Sequence, residues 1–324
     1  MDKLLIRPLD FDTDLDWLTR LGNLYRSEQA SVANVREWYG LERPERVCRV
    51  MVAFGPGGER IGYCEAIHET WNPGGQYSLW VQVDPRFERQ GAGSALFNEG
   101  LAFTQLQGAT SLTSEVHDDC PACLEFATRR GFSIERHIFE SVLDLDSFDE
   151  SPYQALLADL QAQGLRIVSL ADMDCSPQAK TRLYEINRLS VLDIPGREGD
   201  FYPYDEFEQL VMGADWFNPA GQFLAALGQD WVGLAAVRLM PETQGAYNLI
   251  TGVLRPFRGR KIALALKLRA MRYARSAGVR YMRTNNDSLN APMLAINQKL
   301  GYQPVPGLYR LHANPAEVLA SPSK

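Results

Sequence analysis

The sequence predicts an α/β (α+β) protein with two tandem domains, each a mixed and twisted β-sheet flanked by helices. Two observations predict this class: short β-favouring runs alternate with helical segments, and the second half of the chain repeats the first. The length of 324 residues also exceeds what a single hydrophobic core usually supports. We therefore expect one domain over residues 1–147, a linker over 148–164 and a second domain over 165–324.

The repeat is found by shifting the sequence by 170 residues. At this offset the segments Gln76–Phe97 and Ala246–Lys267 align without a gap, and Tyr77 lies over Tyr247. The same register continues beyond these segments and spans more than 50 residues in all. A constant offset of this length indicates that one structural unit is used twice.

Each copy begins with a strand, continues through a tight loop and enters a helix. The runs YSLWVQV and YNLITGV favour β-structure, and each is followed by a proline, Pro85 or Pro256, at which a strand can end. Helical spacing then extends to Gly108 or Gly278, where a glycine favours the end of a helix. The runs SLTSEV and RYMRTN predict the next strands, and a further helix ends in RRGF or KLGY.

The segments before the repeat also correspond in type. KLLIRPLD and LRIVSLAD are candidate first strands of the two copies, and each is followed by acidic, helix-like sequence. ERIGYCEAI and DWVGLAAVRL read as hairpin strands. The segment DSFDESPYQALLADLQAQG is acidic and then helical, and it has no partner in the repeat. This is the reason for placing the linker there.

Composition narrows the class of function. The formal net charge of −7 argues against a general nucleic-acid binder. The sequence has no apolar run of the length that a membrane span needs, and its acidic N-terminus does not resemble a signal peptide. The odd number of five cysteines indicates reduced thiols and a cytoplasmic protein. We interpret the motif CPAC as incidental and expect no metal site.

The stretch LRPFRGRKIALALK places positive charge at the start of a helix. Arg255, Arg258, Arg260 and Lys261 precede a first turn that already carries unpaired N–H groups and the positive end of the helix dipole. The added cations cost stability unless an anion lies among them. The stretch therefore predicts a phosphate-binding site.

These features together resemble the GNAT superfamily of acetyl-CoA-dependent N-acetyltransferases. The resemblance is carried by a strand, a Val-x-x-Pro or Val-x-Pro step, and Arg-x-x-Gly-x-Gly/Ala opening a helix, followed by the closing element NAPMLAINQKLGY. It covers most of the chain and is strongest at residues 76–132 and 246–302. With two copies, the chain looks like a tandem GNAT protein, an arrangement similar to that of mycothiol synthase.

The resemblance implies transfer of an acetyl group from acetyl-CoA to a primary amine of a small molecule, by direct attack in a ternary complex. The loop N–H groups would hold the pyrophosphate, and the backbone of the preceding strand would pair with the pantetheine arm. A backbone amide would polarise the acyl carbonyl, and an acid would protonate the leaving thiolate. From composition we expect no nucleic acid, membrane or metal partner, and the sequence does not predict the oligomeric state.

The cofactor residues implied by the resemblance lie in both copies. They are Val83, Arg89, Gln90, Gly91, Ala92, Gly93 and Ser94 in the first copy, and Leu254, Arg258, Gly259, Arg260, Lys261, Ile262, Ala263 and Asn290 in the second. Neither copy matches the family pattern fully: Glu88 stands where Arg or Gln is usual, and Lys261 replaces the first glycine. Lys261 can still offer its N–H if its backbone is helical. Three cations against one favour the C-terminal copy, whereas the intact Gly91 and Gly93 favour the other.

The catalytic candidates are Tyr247, Asn286 and Asn297. Tyr247 shares its register with Tyr77, at a place where some relatives carry a catalytic group, although a strand tyrosine is commonly a packing residue. The asparagines could orient a substrate or a water molecule, or cap backbone groups. The tyrosine usual on the closing helix of the family is replaced by Ala127 and by Asn297.

The acceptor candidates are Asp193, Tyr202, Tyr204 and Trp216, in a polar and aromatic region spanning residues 192–219. Carboxylates such as Asp193 and Glu198, interleaved with aromatic rings, would suit a cationic amine. An aromatic-rich loop that packs between the two halves is the competing interpretation. Two other functions also stay open: a non-catalytic acyl-CoA-binding or interaction protein, since the helix tyrosine is absent from both copies, and acetyl transfer to a protein amine.

Overall fold

The computed structural model describes residues 4–25, 30–40, 42, 44–70, 72–196 and 200–318. It divides into two compact units, one formed by Met1–Arg136 with Leu308–Lys324 and the other by His137–Gly307. Each unit contains a mixed sheet flanked by helices, which confirms the predicted fold class. The last strand of the chain therefore belongs to the first unit, although its sequence follows the second copy of the repeat.

The described strands are β1 (Leu5–Pro8), β2 (Val47–Phe54), β3 (Arg60–His68), β4 (Gln76–Val83), β5 (Ser111–His117), β6 (Ser133–Asp144), β7 (Leu165–Ser169), β8 (Gln222–Leu227), β9 (Asp230–Met240), β10 (Gly245–Val253), β11 (Tyr281–Asp287), β12 (Gln303–Pro304) and β13 (Leu308–Ala313). Eight of the described strands (β1, β3, β4, β5, β7, β9, β10 and β11) lie close to the positions that the sequence predicts, and the other five were not predicted.

The α-helices alternate with these strands. They are α1 (Leu15–Asn23), α2 (Val32–Gly40), α3 (Ala92–Leu106), α4 (Pro121–Thr128), α5 (Gln154–Ala162), α6 (Pro177–Leu192), α7 (Tyr204–Phe207), α8 (Ile262–Ser276) and α9 (Ala291–Lys299). Short 3-10 turns at Pro85–Phe87 and Arg255–Phe257 follow β4 and β10, because proline cannot extend the strand ladder. Helices α3 and α8 end just before Gly108 and Gly278, whose φ values of 75° and 77° suit glycine, as predicted.

In the first unit the strand order is β1-β2-β3-β4-β5-β13. Among the described strands of this unit the β4–β5 pair is parallel, and the other neighbours run antiparallel. Helix α3 packs across β3 and β4 with Leu96 and Leu101 buried against the sheet. Apolar residues from β4, α3 and β13 share one core, which explains why the C-terminal strand is needed to complete this unit.

In the second unit the order is β6-β11-β10-β9-β8-β7, and β12 adds to β6. Again one pair, β10–β11, is parallel. Helix α8 packs over β8, β9 and β10 and contributes buried residues such as Leu266 and Met271 to the core on that face. Helix α6 packs against β9 and β10 through Leu183 and Ile186. The β10–α8 junction is therefore held by apolar contacts.

The predicted linker is largely structured. Its residues form α5, and Leu160 of this helix is buried in the core of the second unit together with Leu165 of β7. The hydroxyl of Tyr153 donates to the backbone oxygen of Lys299 at 2.8 Å. The boundaries at 147/148 and 164/165 remain a prediction about where the duplicated sequence begins and ends.

The cysteines differ from the sequence-based expectation in one respect. Cys120 and Cys123 of the CPAC motif form a disulfide at the start of α4, whereas Cys48, Cys64 and Cys175 are free thiols. The spacing allows this because the first helical turn brings the two side chains together, with a Cα–Cα distance of 5.3 Å. The expectation that all five thiols are reduced was wrong for this pair. Among the described residues, no helix combines the length and apolar character needed to cross a membrane.

Candidate active site

Both predicted phosphate loops have the same backbone conformation despite their different sequences. In the first unit, Arg89 and Gly91 have left-handed φ values of 61° and 90°. In the second unit, Gly259 and Lys261 have φ values of 77° and 63°. Each loop therefore places one glycine and one residue with a side chain in a region that side chains disfavour, in the opposite order. The backbone of Lys261 is not right-handed helical as the sequence-based condition required, because this residue is the left-handed N-cap of α8.

The loop of the second unit contacts a carboxylate through two arginines. Arg255 Nε donates to Asp193 Oδ1 at 2.8 Å, and Arg258 Nη2 donates to Asp193 Oδ2 at 2.7 Å. Arg258 Nε also donates to the backbone oxygen of Val253 at 2.9 Å, which fixes its guanidinium against the end of β10. The hydrogen bond from Arg255 and the charges of both arginines lower the pKa of the Asp193 carboxyl below its usual value. Asp193, an acceptor candidate, thus lies beside the loop that is predicted to bind phosphate.

The loop of the first unit is arranged differently around a similar backbone. Asp84 accepts hydrogen bonds from the backbone N–H and guanidinium of Arg86, at 3.0 and 2.6 Å. Ser94, in the first turn of α3, accepts a hydrogen bond at 2.8 Å from Arg130, which is buried. The remaining cofactor candidates of this loop lie on the strand end, the loop and the first helical turn: Val83, Gln90, Ala92 and Gly93.

The two loops differ in charge. The second loop brings together four cations and one carboxylate: Arg255, Arg258, Arg260, Lys261 and Asp193. The first loop has two cations and two carboxylates: Arg86, Arg89, Asp84 and Glu88. An anion therefore meets a net positive loop only in the second unit. Its other cofactor candidates, Leu254, Ile262 and Ala263, pack toward the cores on either side of the sheet.

The strand before each loop separates from its parallel neighbour. In the first unit β4 pairs with β5 only from Gln76 to Ser78, and in the second unit β10 pairs with β11 only from Gly245 to Tyr247. The remaining residues of β4 and β10 continue to the loop with pairing on one side. This leaves one edge of each strand available to an extended ligand.

A β-bulge distinguishes the second unit. On β10, Asn248 pairs with Val237 of β9 and Ile250 pairs with Ala236, so that Leu249 has no register partner on the described neighbouring strands. The β3–β4 ladder of the first unit runs through the same place without interruption. A bulge removes one residue from the ladder, so the backbone N–H and C=O groups of that residue do not take part in the regular strand pairing. This irregularity lies where β10 leaves β11.

The bulge also corrects the sequence alignment. Ser114 Oγ donates to the backbone oxygen of Leu79 at 2.7 Å, and the matching Thr284 Oγ1 donates to that of Asn248 at 3.1 Å. Asn248 therefore occupies the place of Leu79, and residues before the bulge are offset by 169 rather than 170. The equivalence of Tyr77 with Tyr247 was wrong, since one extra residue turns every preceding side chain to the other face.

The side chain of Tyr247 belongs to a charged cluster that the sequence analysis missed in part. Its hydroxyl donates to Glu140 Oε1 at 3.0 Å, and Arg283 Nη1 donates to Glu140 Oε2 at 3.2 Å. Desolvation and the neighbouring Glu140 carboxylate raise the pKa of Tyr247, so this phenol stays protonated. Tyr77 instead is buried in the core of the first unit. Sequence separation hid this cluster, because Glu140 and Arg283 meet only through the β6–β11 pairing.

The other catalytic candidates form a buried amide chain. Asn297 Nδ2 donates to Asn286 Oδ1 at 2.7 Å, and Asn286 Nδ2 donates to Ser141 Oγ at 2.8 Å. Asn297 Oδ1 has no hydrogen-bond partner among the described residues. Asn290, the N-cap residue of α9, makes no side-chain capping bond. The structure thus brings Asn286 and Asn297 together, on the face of β11 opposite to Glu140.

The aromatic acceptor candidates lie near α6. The backbone oxygen of Tyr202 accepts a hydrogen bond at 2.9 Å from the hydroxyl of Tyr184, whose ring packs edge-on against Tyr204 at 5.3 Å. Trp216 packs edge-on against Phe217, with ring centroids 5.9 Å apart. These contacts all lie within the second unit. Glu198, the other carboxylate considered in this region, lies outside the described residues.

Comparison with known proteins identifies relatives of this arrangement. The model of the acetyltransferase (GNAT) family matches residues 14–132 and 183–302. A mycothiol acetyltransferase of Parafrankia sp. (strain EAN1pec) is 26% identical over 68% of this chain and 71% of its own length. A mycothiol acetyltransferase of Saccharopolyspora erythraea is 22% identical over 76% of this chain and 79% of its own length.

Solved structures share the fold of both units. A GCN5-related N-acetyltransferase from Sphaerobacter thermophilus superposes with a TM-score of 0.64 and 18% identity, covering 97% of this chain and 96% of that chain. A tandem GNAT protein from the clavulanic acid biosynthesis pathway superposes with a TM-score of 0.59 and 21% identity, covering 99% and 100%. GNAT enzymes generally use acetyl-CoA. With the family model matching more than half of its length, in two copies, the chain belongs to the acetyltransferase (GNAT) family and is a tandem GNAT acyltransferase.

Proposed function

We propose that this enzyme transfers an acetyl group from acetyl-CoA to a primary amine of a small molecule, by direct attack in a ternary complex in the second unit. One observation carries the proposal. In the second unit the bulge at Leu249, the separated edge of β10 and the cation-rich loop follow one another along the chain from β10 to α8. In the first unit the segment from β4 to α3 has a nearly neutral loop, and the β3–β4 ladder has no bulge. The first unit then serves as a weaker site or a structural partner.

The residues present fit a coenzyme A pyrophosphate. Gly259 and Lys261 hold the loop in a left-handed conformation that leads directly into α8, whose first N–H groups are unpaired within the helix. Arg258, Arg260 and Lys261 add positive charge at the same end. The edge of β10 would pair with the pantetheine arm. Asn290 can use its side-chain amide for a ligand, since it does not cap α9.

Acetyl-CoA supplies the acyl group: the amine nitrogen bonds to the carbonyl carbon, the carbon–sulfur bond breaks, and the sulfur leaves as a thiol. The backbone at the bulge would polarise the carbonyl oxygen. Glu140 would accept the proton from the amine nitrogen. Tyr247 would give its phenolic proton to the leaving sulfur and regain one from Glu140, to which it is hydrogen-bonded. Arg283 orients the Glu140 carboxylate, and the Asn286–Asn297 pair would support β11 from behind.

The acceptor would be a primary amine that contacts aromatic side chains of the second unit. Tyr202, Tyr204 and Trp216 remain candidates to contact it, whereas Asp193 is engaged by Arg255 and Arg258. Because the relatives found by sequence are named mycothiol acetyltransferases, a mycothiol-related amine is the first acceptor to test.

The test uses the full-length chain. Isothermal titration measures binding of CoA, and thiol release from acetyl-CoA is followed with a mycothiol-related amine, other small primary amines, and peptides with free N-termini or lysines. We expect CoA binding and thiol release with at least one small amine. Release with peptides alone would move the acceptor to a protein amine, binding without release would favour a non-catalytic acyl-CoA-binding protein, and absence of binding would refute the proposal.

A further inference from the structure

A lysine lies in the hydrophobic core of the second unit. Lys267, in the middle of α8, is 1% exposed and is flanked in the core by Leu266, Leu268 and Met271. Burial lowers the pKa of its ammonium group to about 7. A buried amine costs folding free energy that an apolar side chain would not cost. The requirements of folding therefore do not explain this residue.

The contacts of Lys267 lead to the bulge. Its Nζ donates to Asn248 Oδ1 at 2.7 Å and lies 5.1 Å from the ring centroid of Tyr302. Asn248 is itself buried, with 1% exposure. The Tyr302 phenol is the titratable group that faces the amine, and burial raises its pKa, so it stays neutral. The polar partner of Lys267 is thus the residue that begins the bulge.

Asn248 ties together the two sides of the bulge. Its Nδ2 donates to the backbone oxygen of Ala236 on β9 at 3.1 Å and to that of Ile250 at 3.0 Å. Its Oδ1 accepts from Thr251 Oγ1 at 3.0 Å as well as from Lys267. A carboxamide has two donor hydrogens and two acceptor positions, and all four are used. Removing Lys267 would leave an acceptor position of this buried amide unfilled.

The first unit has neither the polar contacts nor the bulge. Leu79 occupies the place of Asn248, and Phe97 and Phe132 stand 170 residues before Lys267 and Tyr302. All three first-unit residues are buried in one apolar core, and the rings of Phe97 and Phe132 pack edge-on at 6.2 Å. The buried amine and amide therefore occur together with the bulge, in one of two otherwise matching places.

We propose that Lys267 is a positioning residue that, through Asn248, holds the bulge at Leu249 in the conformation that presents the backbone of β10 to the acyl group. This inference rests on the proposed function of the second unit. Lys267 acts from the far side of the strand and does not touch the reacting atoms. Its expected effect is on the transition state and not on cofactor binding, because the bulge lies within β10, before the loop that would hold the pyrophosphate.

The first test is Lys267→Met in the full-length enzyme, since methionine keeps the length of the side chain and removes the amine. We expect kcat to fall by about 100-fold, while the Kd for CoA changes less than about twofold and Tm does not fall. Met271→Leu, a change in the same helix and core, is the matched control and should keep the wild-type kcat. Unchanged kcat in Lys267→Met would overturn the inference.

The second test reads the bulge directly. Amide hydrogen exchange of the β10 peptide containing Leu249 should quicken in Lys267→Met and stay unchanged in Met271→Leu; equal exchange in both variants would overturn the inference. If the wild-type enzyme transfers no acetyl group, the proposed function fails, whereas this exchange comparison still tests the role of Lys267 at the bulge. If Lys267→Met does not fold, the double variant Asn248→Leu/Lys267→Phe, which installs the residues of the first unit, takes its place under the same criteria.

Discussion

Around the strand that leads into each predicted phosphate loop, the first unit packs Leu79, Phe97 and Phe132, whereas the second unit packs Asn248, Lys267 and Tyr302. The loops themselves keep the same backbone conformation. A loop of this kind requires only two left-handed residues, and either position tolerates a side chain at modest cost. The bulge requires several buried polar partners at once. A duplicated fold can therefore retain the loop in both copies and the bulge in one.

The two units also differ in the charge on the other face of the sheet, at the strand that pairs with β11 or with β5. In the second unit Glu140 of β6 lies opposite Asn285 and contacts Tyr247. In the first unit the strand next to β5 is β13, and there Arg310 lies opposite Glu115 and contacts it at 3.4 Å. A carboxylate that can accept a proton thus stands at the centre of one unit, and a cation stands at the matching place of the other.

The largest expected effect comes from removing that carboxylate. Glu140→Gln keeps the shape of the side chain but cannot accept a proton, so kcat for thiol release should fall by about 100-fold or more. Arg310→Gln makes the corresponding change in the first unit and should leave kcat within about twofold. Steady-state kinetics of both variants sharpen the comparison. Equal losses in both, or full activity of Glu140→Gln, would place the base elsewhere.

The buried amine should also make stability depend on pH. The pKa of Lys267 is lowered to about 7 in the folded state from 10.5, so between these values the unfolded chain binds the proton and the folded chain does not. The free energy of unfolding should therefore rise with pH in this window, by about 2 kcal/mol between about pH 7.5 and 9.5. Below about pH 7 the contribution no longer changes, because both states are protonated.

The difference between wild type and Lys267→Met isolates this term from the other groups that titrate in the same range. Denaturant unfolding at several pH values measures it, with Phe97→Met as the apolar counterpart in the first unit. The variant Lys267→Met should be the more stable protein at about pH 7.5, and the two stabilities should converge as the pH rises. Parallel stability curves would show that Lys267 is not a buried neutral amine.

The sequence predicted the architecture well because the repeat is expressed in local patterns. Strand, proline, loop and helix recur at fixed spacing, and Gly108 and Gly278 mark the helix ends as expected. The boundaries of the two structural units are harder to predict from the sequence, since no local pattern in β6 or β13 indicates which sheet the strand joins. Strand choice depends on tertiary packing, which a single sequence does not display.

The candidate site was predicted less completely. The cation-rich loop was visible because charge at a helix start is a local feature. The bulge was not visible in the sequence, because the two copies align without a gap at one constant offset. The extra residue nevertheless turns the side chains before it to the other face of the strand, as Tyr77 and Tyr247 show. Glu140 and Arg283 are separated by most of the second unit in sequence, and Asp193 is more than 60 residues from its partners Arg255 and Arg258. Contacts of this kind are set by the sheet.

The smallest expected effects concern the loops, where the chain offers a matched pair. Lys261→Gly installs the glycine that the first loop has at this place, and Arg89→Gly installs the glycine of the second loop. Each change removes one cation from a left-handed position, with φ near 60° in both. Each should therefore stabilise the fold by about 0.5–1 kcal/mol, because glycine adopts this conformation without strain.

The two variants should differ in cofactor affinity. If the second loop holds the pyrophosphate, Lys261→Gly loses a charge-assisted contact worth about 1.5 kcal/mol, and the Kd for CoA rises about tenfold. Arg89→Gly should leave this Kd unchanged. Isothermal titration at two salt concentrations checks both statements, since the effect of a lost phosphate contact shrinks as salt screens the remaining charges. A higher Kd for CoA in Arg89→Gly alone would assign the cofactor to the first unit. The buried Asn248–Lys267 pair would then lie in the wrong half of the molecule to serve catalysis.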